Sequence, residues 1–259
     1  MEQGNLTSEI RSAAALIRGA RYLTAFTGAG ISVESGIPPF RGEGGLWGRY
    51  DPNCLELGYF NAHPAEAWKL IKEIFYEHFG RVEPNAAHRV LARLETDGWA
   101  GNGGAERSRL RAVITQNIDG LHREAGNRNV IEFHGNWRDL VCTGCGRRRP
   151  ATQDAFLRLP PLCGCGGVLK PDFIFFGEGI PEAAQRDSER AARETDVMLV
   201  IGSTGEVFPA AAVPQTAAEN GAHIIEINPQ RSSFTPLAEV HVMTAAGPAL
   251  TAIEAELYR

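Results

Sequence analysis

Thr115-Gln116-Asn117-Ile118-Asp119 follows the apolar run Ala112-Val113-Ile114, so two amides and a carboxylate emerge together where a buried strand should end. Amides donate and accept, which suits the hydroxyls of a ribose, and a carboxylate accepts from a neutral amide such as that of nicotinamide. Fifteen residues past Asp119, His134-Gly135-Asn136 closes a second expected strand, Val130–Phe133. An imidazole there can take a proton from a sugar hydroxyl near neutral pH. The remaining histidines, His63, His78, His88, His122, His223 and His241, have no such context and read as satisfied structural side chains.

Gly28-Ala29-Gly30 follows the short strand expected over Arg21–Phe26 and gives the tight turn and close backbone approach that a pyrophosphate needs. A dehydrogenase would carry a third glycine at Val33, continue into a helix and second strand, and place an acid about 20 positions on. Here Pro38-Pro39 blocks a continuing helix, and Gly42, Gly44 and Gly45 make a loop carrying Phe40 and Arg41. An aromatic and a cation in that place can close over a bound nucleotide; the same composition also suits an ordinary surface loop.

Four of the five cysteines fall in two pairs, Cys142-Thr-Gly-Cys145 and Cys163-Gly-Cys165, separated by 17 residues. That is close to the spacing of a zinc ribbon, although the second pair has one intervening residue where ribbons have two. Four thiolates would complete a tetrahedron and leave no position for water, which makes the ion structural rather than catalytic. The alternative is a loop of unligated thiols. Cys54 stands apart and reads as a small buried hydrophobe.

The elements that must position these groups follow from hydrophobic period. Ile10, Ala13, Ala14 and Ile17 mark an amphipathic first helix, and helical patterns recur at 64–79, 85–96, 181–194, 209–220 and 247–257. Strands are expected at 111–115, 130–133, 173–176, 196–201, 223–227 and 240–243. Their alternation predicts an α/β fold, a doubly wound, mostly parallel, Rossmann-like sheet with ligands at the carboxyl ends of its strands. The segment 137–170 breaks the rhythm and shows almost no period, as a small inserted metal module would. The division expected is therefore 1–136 with 171–259 as the nucleotide-binding unit and 137–170 as the zinc module, part of the helical 42–80 segment packing with the latter. Gly101–Ser108 reads as a tolerated surface insertion.

With 259 residues and 43% hydrophobic content the chain can bury a large core. A net charge of −5 gives no basic footprint, which argues against nucleic acid as a partner. No apolar run is long enough for a membrane helix, and the opening residues lack a leader pattern, so a cytoplasmic, monomeric protein is expected.

Taken in order, Gly28–Ser32 (GAGIS), Pro38–Gly42 (PPFRG), Thr115–Asp119 (TQNID), His134–Asn136 (HGN), the cysteine pairs, Phe175–Glu178 (FFGE), Gly202-Ser203-Thr204 and Glu226–Asn228 (EIN) resemble the sirtuin family of NAD-dependent protein deacylases, bacterial or archaeal in type. The resemblance runs from Thr27 to about Ala246. It implies NAD bound between a nucleotide domain and a zinc module, with an acylated lysine entering from the opposite side. Gly28, Ala29, Gly30 and Ser32 would form the pyrophosphate site, and Phe40 and Arg41 the loop shielding the reacting sugar. Gln116 and Asn117 would position the ribose, Ile118 and Asp119 would line the nicotinamide pocket, and His134 would be the general base, with Asn117 and Arg41 beside it in catalysis. Gly202, Ser203 and Thr204 match a second phosphate and ribose turn, Asn228 an adenosine ribose contact and Ala246 the adenine end. Cys142, Cys145, Cys163 and Cys165 would hold zinc. Phe173–Glu178 and Glu206–Pro209 would flank the peptide as backbone partners.

The implied reaction transfers the acyl group of lysine to ADP-ribose and releases nicotinamide. Gly202-Ser203-Thr204 stands where many members read Gly-Thr-Ser, which keeps two hydroxyls in the turn. Members that favour succinyl or malonyl lysine carry a tyrosine and an arginine three residues apart; here Tyr76 is followed by Phe79, so neutral acyl groups, acetyl first, are expected. Two other readings of the residues remain, a mono-ADP-ribosyltransferase on the same NAD site and a non-catalytic zinc-ribbon and NAD-sensing protein.

Overall fold

The computed structural model describes residues 2–40, 44–77, 82–99 and 110–259. Helix α1 (Glu2–Gly19) leads into β1 (Leu23–Thr27), whose five residues are all buried, as in a strand covered on both faces. A 3-10 helix, Ala29–Ser35, follows and ends at Gly36, whose φ of 91° only glycine adopts readily, just before the two prolines. Then come α2 (Leu57–Ala62), α3 (Pro64–Ile71) and α4 (Ala86–Thr96), β2 (Leu110–Thr115), α5 (Leu121–Ala125) and β3 (Val130–Glu132). The chain continues through β4 (Gly135–Cys142), β5 (Arg148–Pro150), β6 (Leu169–Phe173), α6 (Glu182–Glu194), β7 (Val197–Ile201), α7 (Ala212–Glu219), β8 (His223–Ile227), β9 (Ala238–Val242) and α8 (Ala246–Leu257).

Six strands form one all-parallel sheet in the order β3-β2-β1-β7-β8-β9. The order reverses between β1 and β7, the place where an open α/β sheet leaves a crevice at its carboxyl edge. Leu23, Ala25, Val113, Leu199 and Ile225 face α1, α4 and α8 on one side of the sheet. Phe26, Ile114, Met198, Val200 and Ile224 pack with residues of α6 and α7 on the other.

A second, antiparallel sheet has the order β5-β4-β6. Its apolar cluster joins Leu140, Phe156, Leu169 and Phe173 to Phe60, Trp68, Ile71 and Phe75 from the segment after the 3-10 helix. Here the structure departs from the sequence reading in three ways. The strand expected at 173–176 lies at 169–173 and belongs to the small sheet, while Phe176 makes a single bridge to Glu56. The segment 137–170, read as nearly without period, supplies most of that sheet. In β4 only Leu140 and Cys142 are buried, and β5 is Arg-Arg-Pro, so pairing rather than an apolar stripe defines them. The helix expected over 64–79 is α3 followed by a π-helical stretch, Lys72–Glu77, and residues 78–81 lie outside those described.

Candidate functional site

The crevice is built on glycine contacts. Gly30 N–H donates to Gly202 O at 2.8 Å, and Gly28 N–H donates to Ile201 O at 2.9 Å. A Cβ on Gly30 would lie 2.6 Å from Gly202 Cα, and one on Gly28 would lie 2.8 Å from Gly202 O. Gly202 itself has φ 60°. The glycines read from sequence as making room for a pyrophosphate are thus required first by the close packing of the β1 turn on the β7 turn.

Thr115–Asp119 leaves β2 at the same edge. Asn117 is buried, and its amide nitrogen donates to Gly28 O at 3.0 Å and Ser32 Oγ at 3.2 Å. Ser32 Oγ donates to Asp119 Oδ2 at 2.7 Å, and burial pushes the Asp119 carboxyl above its ordinary value. Gln116 turns the other way, donating from Nε2 to Ser203 Oγ at 2.9 Å. Ala29, Ser32, Asn117, Ile118 and Asp119 line a pocket with Ile37, Pro38, Phe40, Leu46, Phe75 and Trp137.

His134 follows β3, and its Nδ1 lies 2.9 Å from Gln116 O. A carbonyl only accepts, so the ring proton sits on Nδ1 and Nε2 keeps a lone pair. Burial lowers the imidazole pKa below its ordinary value, which keeps that lone pair available in neutral solution.

On the far side of β7, Asn228 Nδ2 donates to Ser203 O at 3.2 Å, and Thr204 O accepts from Ser233 N at 3.1 Å. Glu226, fully buried, accepts from Thr235 Oγ1 at 2.6 Å and from Ser232 Oγ at 2.5 Å, which fixes the loop after Asn228. Ala246 opens α8 and is buried.

The 173–178 segment is anchored from beneath. Lys170 Nζ is buried and donates to Phe173 O at 2.6 Å, Pro171 O at 3.0 Å and Glu178 Oε2 at 3.0 Å, with the Phe175 ring centroid 4.4 Å away. Glu178 Oε2 also accepts the Phe175 N–H at 2.9 Å. Phe208, in the segment 206–209, is 65% exposed, so an aromatic face stands open to solvent.

The four sulfurs of Cys142, Cys145, Cys163 and Cys165 lie within 4.8 Å of one another, with Cys142–Cys165 at 3.5 Å and Cys145–Cys163 at 3.8 Å. Zinc–sulfur bonds of about 2.3 Å give a tetrahedron with edges of about 3.8 Å, so the donor set fits the ion. The N–H groups of Cys145 and Gly144 point at Cys142 Sγ and lower that thiol to about 6, toward the thiolate a metal needs. A Cβ on Gly167 would meet Cys142 Sγ at 2.8 Å. The short second pair is therefore accommodated by glycine.

The structure brings Gly28–Ser32, Phe40, Gln116–Asp119, His134, Gly202–Thr204 and Asn228 to the crevice, while Ala246 lies in the apolar core that α8 shares with α1 and α4; Arg41 lies outside the described residues along with Gly42, His78 and Phe79. Sequence reasoning missed Trp137, whose Nε1 donates to Asp119 O at 3.0 Å, and Lys170. A tryptophan directly after His-Gly-Asn was the available signal for the first; a lysine in an otherwise apolar run was that for the second. His88 and His122, read as satisfied, each keep one buried nitrogen without a partner among the described residues.

The Sir2 family model matches residues 28–209. An NAD-dependent protein deacylase of Aeropyrum pernix is 42% identical over 240 residues, covering 90% of this chain and 91% of its own. An NAD-dependent protein deacetylase of Haloarcula marismortui is 43% identical over 221 residues, covering 82% and 80%. Among solved structures, a Sir2 homologue variant complexed with ADP ribose superposes with TM-score 0.87 at 35% identity over 95% of both chains. A Sir2 variant with deacetylated p53 peptide and 3′-O-acetyl ADP ribose superposes with TM-score 0.87 at 31% identity over 95% and 98%. On sequence and on architecture alike, this chain belongs to the Sir2 family.

Proposed function

We propose that the chain is an NAD-dependent protein lysine deacylase with a preference for acetyl, acting on acylated lysines in protein segments laid between 173–178 and 206–209. The observation that carries the reading is the His134 tautomer: Nδ1–H held by Gln116 O leaves Nε2 as a base at the edge of the crevice. NAD, as co-substrate, supplies a sugar carbon whose bond to nicotinamide breaks as the acyl oxygen attacks. Asn117 and Ser32 hold the ribose side of the crevice, and Asp119 offers an acceptor for the departing amide. Phe40, Ile118 and Trp137 exclude water around the reacting carbon. His134 would then take a proton from a ribose hydroxyl, whose oxygen attacks the acyl carbon; lysine leaves as the free amine, one water supplies the balancing oxygen, and the acyl group departs as an ester of ADP-ribose. Arg41 completes the loop over the cofactor in this scheme.

Gly28, Ala29 and Gly30 would hold the pyrophosphate, Gln116, Ser203, Thr204 and Asn228 the riboses and Ala246 the adenine. Zinc on the four cysteines would serve only to hold the small sheet. We take 1–136 with 171–259 as one unit and 137–170 as the second, with the 42–80 segment sharing the latter's core. Acetyl is favoured because Tyr76 Oη is committed to Trp137 O at 2.8 Å and so is not free for an acidic acyl group.

The test is incubation of the zinc-loaded protein with NAD and a matched panel of acetyl, succinyl and long-chain lysine peptides. Nicotinamide release with loss of the acetyl mass from the peptide supports the reading. A gain of one ADP-ribose on protein would establish transfer instead, and no nicotinamide from any peptide would refute catalysis. His134→Ala should abolish turnover and leave NAD binding largely intact.

A further inference from the structure

His134 stands between two charged side chains that take no part in the proposed reaction. Glu132 ends β3 in the large sheet, and Arg138 lies within β4 in the small one. Arg138 Nη2 donates to Glu132 Oε1 at 2.5 Å, across the Phe133–His134 turn. The bond is sheltered, with the Glu132 side chain 15% and the Arg138 side chain 33% exposed. Arg123 Nε also donates to Oε1 at 3.3 Å, and Asn136 Nδ2 donates to Oε2 at 3.4 Å. The Arg138 backbone is held on both sides: its N–H donates to Asn136 Oδ1 at 3.0 Å, and its carbonyl accepts the Ala151 N–H at 2.7 Å. The guanidinium lies against Gly120, where a Cβ would collide with Nη1 and stand 3.1 Å from Cζ. Gly120 directly follows Asp119. Burial raises the Asp119 carboxyl; the Leu121 N–H, the Ser32 hydroxyl and the Arg138 charge pull it back down, and Glu132 pushes it up. Glu124 of α5 is likewise raised by burial, lowered by Arg138 and raised by Asp119, so it shares the same cation.

We propose that Glu132 and Arg138 form a charged brace across the His134 turn, and that Arg138 is through it a positioning residue for the general base and for Asp119. The Nδ1–H bond to Gln116 O orients the imidazole, but it can do so only while the main chain on either side of His134 keeps its course. The brace closes that stretch from residue 132 to residue 138. A sheltered, charge-assisted bond is stronger than an exposed ion pair, and removing either partner leaves the other charge uncompensated. The same guanidinium, packed on Gly120, keeps a positive charge beside the carboxylate that would receive the departing amide.

The kinetic arm of the test rests on the deacylase reading; the spectroscopic arm does not. Arg138→Met and Glu132→Gln should each lower kcat about tenfold, and so should the double variant, because all three lose one bond; KM for NAD should change by less than about threefold. The acid limb of kcat/KM should move up in Arg138→Met, where Asp119 loses a cation, and down in Glu132→Gln, where it loses an anion. Arg138→Lys keeps the charge, so it should hold the limb in place and recover most of kcat. Arg93→Met breaks a comparable pair, Arg93–Glu254, between α4 and α8 and should leave kcat unchanged. A wild-type kcat in either brace variant, a loss of about a hundredfold in the double variant, or limbs that move together overturns the proposal. Should Arg138→Met fail to fold, the nearly isosteric Glu132→Gln decides alone by its kcat and its limb. In 15N NMR without substrate, solvent exchange of the His134 Nδ1–H should quicken about tenfold in Glu132→Gln, and unchanged exchange refutes the brace. Absence of nicotinamide release by the wild-type protein would sink the deacylase reading alone and leave the exchange rate to judge the brace.

Discussion

Gly30→Ala is expected to separate the two turns on which the whole crevice rests. Its new Cβ would stand 2.6 Å from Gly202 Cα, 2.8 Å from Gly202 O and 3.0 Å from Gly202 C. All three are backbone atoms, so no side chain can rotate aside and one turn must move. Overpacking of a dense site costs about 1–3 kcal/mol. The Gly30 N–H to Gly202 O bond, 2.8 Å long, stretches with it and adds about 0.5–1.5 kcal/mol. A total of about 2–4 kcal/mol lowers the melting midpoint of a chain this size by roughly 5–15 °C. The displacement also opens the edge where the pyrophosphate would lie, so the rise in melting temperature on adding NAD should vanish. Gly19→Ala is the matched control. It ends α1 with no atom within 4 Å of its added Cβ, so it should be neutral or stabilise by up to about 1 kcal/mol. Differential scanning fluorimetry with and without NAD reads all of these. A Gly30→Ala protein that melts with wild type and still responds to NAD refutes the claim that the glycines are there for turn-on-turn contact.

Stripping zinc with a chelator should unfold the β5-β4-β6 sheet and cost roughly 5 kcal/mol or more, visible as lost strand signal in circular dichroism; an unchanged melt would mean the thiols are unligated. Lys170→Met leaves Glu178 and two carbonyls without their cation. It should destabilise the fold by about 3 kcal/mol in urea titration and raise KM for peptide, and a silent variant would exclude Lys170 as the anchor of 173–178. His88, lowered from 6.5 to about 4 by burial, binds fewer protons folded than unfolded. Its contribution is therefore complete above about 6.5 and is lost as pH falls toward 4, roughly 3 kcal/mol in all. Burial of His122 acts in the same direction, while Asp119, pushed up by burial, opposes it at the acid end. A urea midpoint that stays flat from pH 7 to about 5 would contradict that burial effect.

The large sheet was legible because β1, β2, β7 and β8 are short apolar runs separated by helical periods, and those patterns report burial directly. The turn 115–119 and His134 were legible for the same reason, as polar residues placed where such runs stop. The small sheet was not. Its strands are held by backbone pairing and four sulfurs, and Arg148–Pro150 carries no buried apolar side chain to betray it. The packing role of Gly28 and Gly30 was equally hidden, since that constraint comes from Gly202, far along the chain. So was the unmatched histidine pair. Residue type says that an imidazole can be satisfied, and only packing says whether it is.

Between the end of β3 at Glu132 and the start of β4 at Gly135 lie only Phe133 and His134, and the backbone there is pinned by Ile174 N–H on His134 O at 2.9 Å. A tether of two residues has no slack with which to absorb a relative rotation of the sheets it connects. Any hinging of one sheet on the other must twist the very peptide units that bear the imidazole. The aim of the His134 ring and the angle of the hinge are thus one mechanical variable, and under the proposed deacylase reading a peptide or nucleotide that fixes the angle would aim the base.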